Sequence, residues 1–123
     1  MANPEIISAS SIYGKTVYDT DVSNTAASLV SNAASSGKIL KINSLAIANI
    51  DGTNDADITV TLRNAAGGTT HSTIAHEVVV PALATLVVIS KDTSIYLLEN
   101  MSLYVKATNT GDLSATCSYE EIS

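Results

Sequence analysis

The sequence predicts an all-β fold: a single antiparallel β-sandwich, jelly-roll or immunoglobulin-like, with an extended N-terminal arm. Several segments alternate apolar with polar residues, which is the pattern of strands that bury one face. Turn residues separate these segments at the roughly 8 to 12 residue spacing that is typical of sandwiches and barrels. The length of 123 residues indicates one domain.

The first 20 residues lack a clear apolar face, so we interpret residues 1–20 as an arm that docks on neighbouring molecules. Residues 21–123 form the predicted sandwich domain. Apolar and tyrosine side chains suit a contact surface because they bring large contact area. The candidate interface residues in this arm are Ile6, Ile7, Ile12, Tyr13 and Tyr18.

The first half of the domain contains three predicted strand regions. Residues 25–34 have a weak helical propensity that Ser, Asn and Val dilute, so we predict strand or loop. Residues 38–50 form a long strand whose apolar side chains change face, which predicts a bulge near Asn43 and Ser44. Ile58, Val60 and Leu62 alternate with polar residues and give the clearest strand of the sequence.

The second half contains four further strands. Residues 78–80 and 86–89 are continuous apolar runs, which is typical of strands covered on both faces. Residues 95–98 form a short strand beside them. Residues 103–107 and 113–119 alternate, and the second pattern directs Cys117 inward as a small buried hydrophobe.

Four oxygen-bearing side chains lie close together between two apolar segments: Asp51, Asn54, Asp55 and Asp57. Ca²⁺ takes six to eight oxygen ligands, but no Glu follows at the twelfth position of an EF-hand. Asp and Asn beside Gly are also what a hairpin loop selects. The sequence therefore predicts a hairpin whose Asp51-Gly52 tip reverses the chain, with a cation site as the alternative.

Little else in the sequence carries chemistry. His71 and His76 are five residues apart, so on a strand they point to opposite faces and cannot share a metal. No Walker A, Rossmann or G-x-S-x-G motif is present, and Gly67-Gly68 lies between strands as a turn. We therefore expect no catalytic residue, no cofactor and no enzymatic activity.

Composition also narrows the range of partners. The net charge is −6 and the Lys and Arg residues are dispersed, so phosphate contacts to nucleic acid are not expected. No apolar run approaches the length of a membrane span, and the N-terminus lacks the pattern of a signal peptide. A single cysteine cannot form an intrachain disulfide.

Three stretches together resemble a known family: residues 37–62 (GKILKINSLAIANIDGTNDADITVTL), 81–108 (PALATLVVISKDTSIYLLENMSLYVKAT) and 111–122 (GDLSATCSYEEI). The ordered set K-I-N-S, A-N-I-D-G-T-N, A-T-L-V-V-I and S-Y-E-E-I resembles small β-sandwich structural proteins of tailed-phage virions, frequent among phages of aquatic bacteria. The resemblance implies a capsid decoration or cement protein on the assembled head. A neck, tail or fibre-associated module is the alternative, and a Ca²⁺-dependent binding domain is a more remote one.

The resemblance also implies partners and a location. The partners would be the major capsid protein and neighbouring copies of the chain, as monomers or as a homotrimer, and the protein would be made in the host cytoplasm. The sequence departs from the family pattern at Leu83 and at Asn100-Met101. Leu83 and Met101 are therefore candidates for partner-facing apolar positions, together with Tyr104.

Overall fold

The chain forms two antiparallel sheets in which strands from its first half pair with strands from its second half. The computed structural model describes residues 4–64 and 70–123. Within these residues no helix is long and apolar enough to cross a membrane, and a 3-10 turn at Lys91–Thr93 is the helical element. The described strands are β1 (Ile12–Asp19), β2 (Ala27–Asn32), β3 (Ile39–Asn49), β4 (Ala56–Asn64), β5 (Thr70–Val80), β6 (Thr85–Ile89), β7 (Ile95–Leu97), β8 (Met101–Ala107) and β9 (Leu113–Ile122).

The strand order is that of a jelly roll. One sheet, called sheet A, has the order β1-β9-β3-β6, and β7 also pairs with β3; the other, sheet B, has the order β2-β8-β4-β5. The first strand therefore pairs with the last, β2 with β8, and β4 with β5, all antiparallel. The structure confirms the predicted sandwich, and the nested pairing selects the jelly roll over the immunoglobulin-like arrangement.

The core lies between the two sheets and consists of the inward side chains of the alternating strands. Transferring a Leu or Ile side chain from water to such a core contributes about 1.5 to 3 kcal/mol. Cys117 is fully buried there, as predicted. The predicted bulge is also confirmed, because the pairing of β3 with β9 shifts between Ile42 and Ser44. The largest fully buried side chains include Ile42, Leu45, Ile47, Ile58, Leu97, Leu103 and Leu113.

The predicted hairpin at Asp51-Gly52 is wrong. β3 belongs to sheet A and β4 to sheet B, so the connection between them crosses from one sheet to the other. β3 pairs with β6, β7 and β9 and β4 with β5 and β8, so the two strands face each other across the core instead of pairing. The predicted turn at Gly67-Gly68 lies outside the described residues.

Two further expectations differ from the structure. Val79 and Val87 are 52% and 58% exposed, so the apolar runs around them are not covered on both faces. β5 and β6 are edge strands, and β5 is bulged at Glu77, which has a φ of 48°.

The boundary of the predicted arm is also too far along the chain, because β1 pairs with β9 as the edge strand of sheet A. The sequence of β1 lacks a clear apolar face because β1 lies at the edge of the sheet, where most of its side chains are exposed.

Two buried asparagines hold the ends of strands where the chain crosses between the sheets. Asn49 donates through Nδ2 to the carbonyl oxygens of Asn54 and Val80, at 3.0 and 2.8 Å. Its Oδ1 accepts from the backbone N–H of Asp51 at 2.9 Å. Asn32 makes the equivalent bonds at the opposite end, donating to the carbonyl oxygens of Lys38 and Leu97.

We expect Asn49→Ala to lower the free energy of unfolding by about 2 kcal/mol, because the buried carbonyl of Val80 and the partly buried carbonyl of Asn54 and N–H of Asp51 lose their partner. Chemical denaturation of the two proteins, compared at equal m-value, measures the loss. Asn109→Ala is the control, since Asn109 is exposed and its loss should change stability by less than about 0.5 kcal/mol. Equal stabilities of Asn49→Ala and the unaltered protein would contradict this role.

Candidate functional site

Charge is distributed unevenly between the two ends of the sandwich. We call the end where β4 and β9 begin the acidic end, and the end where β3 begins and β9 finishes the balanced end. The strand registers bring seven carboxylates and a single cation, Lys106, to the acidic end. Since the net charge is −6, the remaining charged residues cancel. The seven are Asp19, Asp21, Asp51, Asp55, Asp57, Glu77 and Asp112.

The carboxylates of the acidic end affect each other's ionisation. Asp51 accepts from the backbone N–H groups of Thr53 and Asn54 and from Nδ2 of Asn54, and these bonds lower its pKa. Desolvation, followed by repulsion from Asp51, raises the pKa of Asp112. Asp21 accepts from the backbone N–H of Gly111 at 2.6 Å. The acids of this end are therefore ordered by loop hydrogen bonds.

The four predicted cation-site residues do not converge. Asp51 and Asn54 bond to each other within their own loop, whereas Asp55 accepts from the backbone N–H of Ala82 at 3.0 Å. Asp57 lines a separate groove on sheet B. Among residues 4–64 and 70–123, no group of three or more acidic, His or Cys side chains is arranged to hold a metal ion.

The groove on sheet B is shallow, open and polar, with a volume of about 440 Å³. Its charged groups are the carboxylates of Asp57 and Glu77 and the amine of Lys106. The side chain of His76 is 73% exposed and its Nε2 lies 4.0 Å from the Glu77 carboxylate; the side chain of His71 is outside the described part. The groove offers hydrogen bonds and charges, and its described lining includes no serine, cysteine or imidazole.

Cys117 is the one cysteine of the chain, and its position does not suit chemistry. Its side chain is fully buried between the sheets, and desolvation raises the pKa of its thiol to about 11. A thiol with such a pKa is almost entirely protonated at neutral pH and is a poor nucleophile. It packs as a small hydrophobe.

The balanced end carries exposed apolar side chains in place of net charge. Ile6 and Ile7 are 44% and 103% exposed, and Ile12 and Tyr13 at the start of β1 are 54% and 60% exposed. The backbone N–H and C=O groups of Ser11 hydrogen-bond to those of Ser123 and hold the segment that precedes β1 against the end of β9. Four of the predicted interface residues are therefore exposed on or just before the start of β1, at this end of the sandwich.

An ion triad lies beside these residues. The carboxylate of Glu121 contacts Nζ of Lys15 at 2.6 Å and Nζ of Lys38 at 2.8 Å. The hydrogen bond with Lys15, and then that with Lys38, lowers the pKa of Glu121, and the same contact raises the pKa of Lys15. The triad connects β1 and the start of β3 to the last strand, β9.

Leu83 occupies a tight turn at the acidic end. The backbone N–H of Ala84 bonds to the carbonyl oxygen of Pro81 at 3.0 Å, and Leu83 has a φ of 63°. This left-handed conformation suits Gly or Asn and is unfavourable for a side chain branched like Leu. The side chain is also 76% exposed, so no packing within the chain compensates for the strain.

The remaining predicted interface residues have different positions. Tyr18 is 69% exposed near the acidic end of β1. Met101 is half-buried and packs against the core, so only part of its side chain is open to a partner. Tyr104 is half-buried on the outer face of sheet B, where the guanidinium of Arg63 lies 4.7 Å from the ring centroid. Its ring is thus already covered by a cation.

Some exposed apolar residues were not predicted. Ile50 is 57% exposed in the crossover between β3 and β4, beside the turn that contains Leu83. Val79 and Val87 lie on the edge strands described above. In sequence such residues cannot be distinguished from core residues, because β-branched side chains favour strands on either face.

Comparisons with known proteins give a structural neighbour and no sequence relative. No family model matches the chain, and no curated protein matches it. A solved structure described as belonging to Bacillus endospore appendages, a family of disulfide-linked pili, is similar to 91% of this chain and 88% of its own, with a TM-score of 0.51 and 16% identity. At this identity the likeness shows the fold alone.

We expect the Glu121 triad to make stability depend on acid pH. The pKa of Glu121 is lowered on folding, so the triad stabilises the fold above the ordinary pKa of 4.5 and loses this contribution as pH falls through the lower, folded-state pKa. Glu121→Gln should lower the free energy of unfolding by about 1 kcal/mol at neutral pH. Thermal unfolding between neutral and strongly acidic pH measures both proteins.

The two unfolding profiles should converge at the acidic limit, where Glu121 is protonated in the unaltered protein. Glu5→Gln is the control, since Glu5 is exposed and its carboxylate accepts from the hydroxyl of nearby Ser8 and from no other group among the described contacts. A constant difference between Glu121→Gln and the unaltered protein at all pH values would contradict the assigned linkage.

Proposed function

We propose that this chain is a non-enzymatic structural protein of a tailed-phage virion, a decoration protein that binds the outside of the assembled head. The polarity of the sandwich carries the proposal: one end is charge-balanced and exposes apolar side chains, and the other bears the whole net charge. The resemblance of residues 37–122 to virion proteins supports the same conclusion. No cofactor is needed for such a role.

The balanced end is the attachment end in this proposal. Ile6, Ile7, Ile12 and Tyr13 present apolar area without net charge, and the centre of a protein interface is depleted of charge and enriched in such side chains. The major capsid protein is the proposed partner of this end, with neighbouring copies of the chain beside it.

The acidic end faces solvent in this arrangement. Seven carboxylates with one lysine repel the acidic ends of adjacent copies and other acidic surfaces, so they limit association through that end. Attachment acts by mass action, because a protein that binds only the assembled shell stabilises the shell relative to free subunits. Many copies, each with a modest contact, give a large total, and this holds for monomers and for homotrimers.

A neck, tail or fibre-associated module is the alternative within a virion. The structural neighbour is described as a pilus protein, and its likeness to this chain extends to the fold alone. Disulfide linkage, the property in that neighbour's description, does not suit this chain because Cys117 is buried. The Ca²⁺-dependent alternative depends on residues that do not converge, and a melting temperature that rises with added Ca²⁺ and falls with EDTA would revive it.

Copy number per purified particle tests the proposal. Quantitative mass spectrometry against the major capsid protein should give a ratio near one or near one third. A ratio near one corresponds to one copy per capsid subunit, bound singly or as a trimer on three subunits, and a ratio near one third to one copy per three subunits. A few dozen copies or fewer would favour the neck or tail module. Absence of the chain from the particle would refute a virion role.

A matched pair of substitutions tests which end attaches. We expect Ile7→Asp to weaken binding to chain-free particles at least tenfold, because a charge would enter an apolar contact. Leu83→Asp adds the same charge to a similarly exposed side chain at the other end and should bind as the unaltered protein does. Co-sedimentation with particles at graded concentration measures both, and a larger loss for Leu83→Asp would reverse the assigned orientation.

A further inference from the structure

Among the described residues, 4–64 and 70–123, no strand pairs with the outer edge of β1, and this edge is regular. β1 pairs with β9 over eight residues without a register shift. The other described sheet edges are interrupted: the pairings of β2, β5 and β6 each contain a shift, and β7 has three residues. Bulges and short strands are the usual means of preventing edges from pairing with other chains, and β1 lacks them.

The hydrogen bonds at the end of β1 fix which backbone groups point outward. Ser11 and Ser123 exchange both backbone bonds, at 3.0 and 2.9 Å. In an antiparallel ladder such pairs recur at every second residue, so the odd-numbered residues of β1 bond to β9. The N–H and C=O groups of Ile12, Gly14, Thr16 and Tyr18 therefore face the free edge.

Gly14 has no structural role within the chain that would require glycine. It lies inside a strand, where glycine weakens the strand, and its φ is outside the left-handed region. A Cβ atom at this position would meet nothing within 4 Å. Glycine in a strand often marks a place where another backbone approaches closely. Tyr18, four positions after Gly14 on the same edge of β1, has a side chain that is 69% exposed.

We propose that β1 pairs antiparallel with β1 of a second copy, around a two-fold axis at Thr16. This register places Gly14 of each copy opposite Tyr18 of the other, so the exposed ring covers the glycine, an arrangement that stabilises edge glycines. The two Thr16 residues face each other at a position where their backbones exchange hydrogen bonds, and cross-strand threonine pairs add stability of their own. Sheet A thus continues across both copies.

Charge favours a second copy as the occupant. Lys15 lies opposite Val17 of the other copy, and its two diagonal neighbours, about 7 to 8 Å away, are Asp19 and Lys15 of that copy, so attraction and repulsion along the paired strands offset each other. Because the strands are antiparallel, the two acidic ends point in opposite directions. An isologous pairing therefore keeps the net charges of the two copies apart.

This pairing is independent of the proposed function. Antiparallel copies cannot both direct their balanced ends to one shell, so the pair is the form of the unattached protein and separates before attachment. A single pair of strands makes a small interface, and interfaces below about 1,200 Å² are weak and transient. The test uses purified protein without particles, so its failure leaves the virion proposal unaffected.

Cysteine cross-linking tests the register. Paired residues on antiparallel strands have Cα atoms about 5.5 Å apart, within the range that a disulfide spans. Under mild oxidation, Thr16→Cys should form a covalent dimer, while the buried Cys117 remains inert. Ser31→Cys, on the exposed part of β2, is the control. Cross-linking of Ser31→Cys in place of Thr16→Cys would overturn the proposal.

Analytical ultracentrifugation tests the backbone pairing of β1 with β1. The proteins compared carry Cys117 as their single cysteine, so disulfide formation does not contribute to any dimer. The unaltered chain should show concentration-dependent dimers at about 1 mM, the range of weak association. Thr16→Pro should be monomeric with a retained unfolding transition, because the N–H that it removes faces the free edge, whereas Thr16→Val should dimerise. The proposal would be overturned if the unaltered chain were monomeric or if the Thr16→Pro variant dimerised. If Thr16→Pro fails to fold, Gly14→Pro, at the same edge of β1, replaces it.

Discussion

The jelly roll depends on satisfying backbone groups where strands leave one sheet for the other. At these points the ladder ends and carbonyl groups enter the core region without a strand partner, which is costly in a dry interior. Asn49 and Asn32 resolve this at opposite ends, each with an amide that donates to two carbonyl oxygens of different segments. The two sheets can therefore face each other over their full length, and the core between them follows.

The same constraint explains what the sequence could and could not predict of the fold. Alternation at Ile58, Val60 and Leu62 predicts a strand because it depends on one buried face, whichever strand lies beside it. The change of face between Ile42 and Leu45 predicts a bulge for the same reason. Pairing is different: whether the chain after Asn49 forms a hairpin or crosses over depends on contacts with Val80, which is 31 positions away.

The sequence also does not predict which apolar side chains are exposed at sheet edges, or how charge is distributed between the two ends of the sandwich. Val79 and Val87 have the composition of core residues and lie at edges, whereas Met101 was predicted at the surface and packs on the core. The sequence predicts an interface role for Ile7 and Tyr13, and the structure leaves both side chains exposed at the balanced end. The acidic end brings Asp21, Asp51 and Asp112 together from three separate loops, so no local pattern could reveal it.

The nested pairing gives the first strand an unusual freedom. β1 contributes few side chains to the core, so the sandwich depends on it mainly through the ladder to β9 and the triad at Glu121. Its outer edge and the segment before it can therefore change without altering the core. Because those same residues carry the apolar surface of the balanced end, association can be adjusted separately from folding stability. In this arrangement the edge strand, which is a liability in a free protein, becomes the part of the molecule best suited to make contacts.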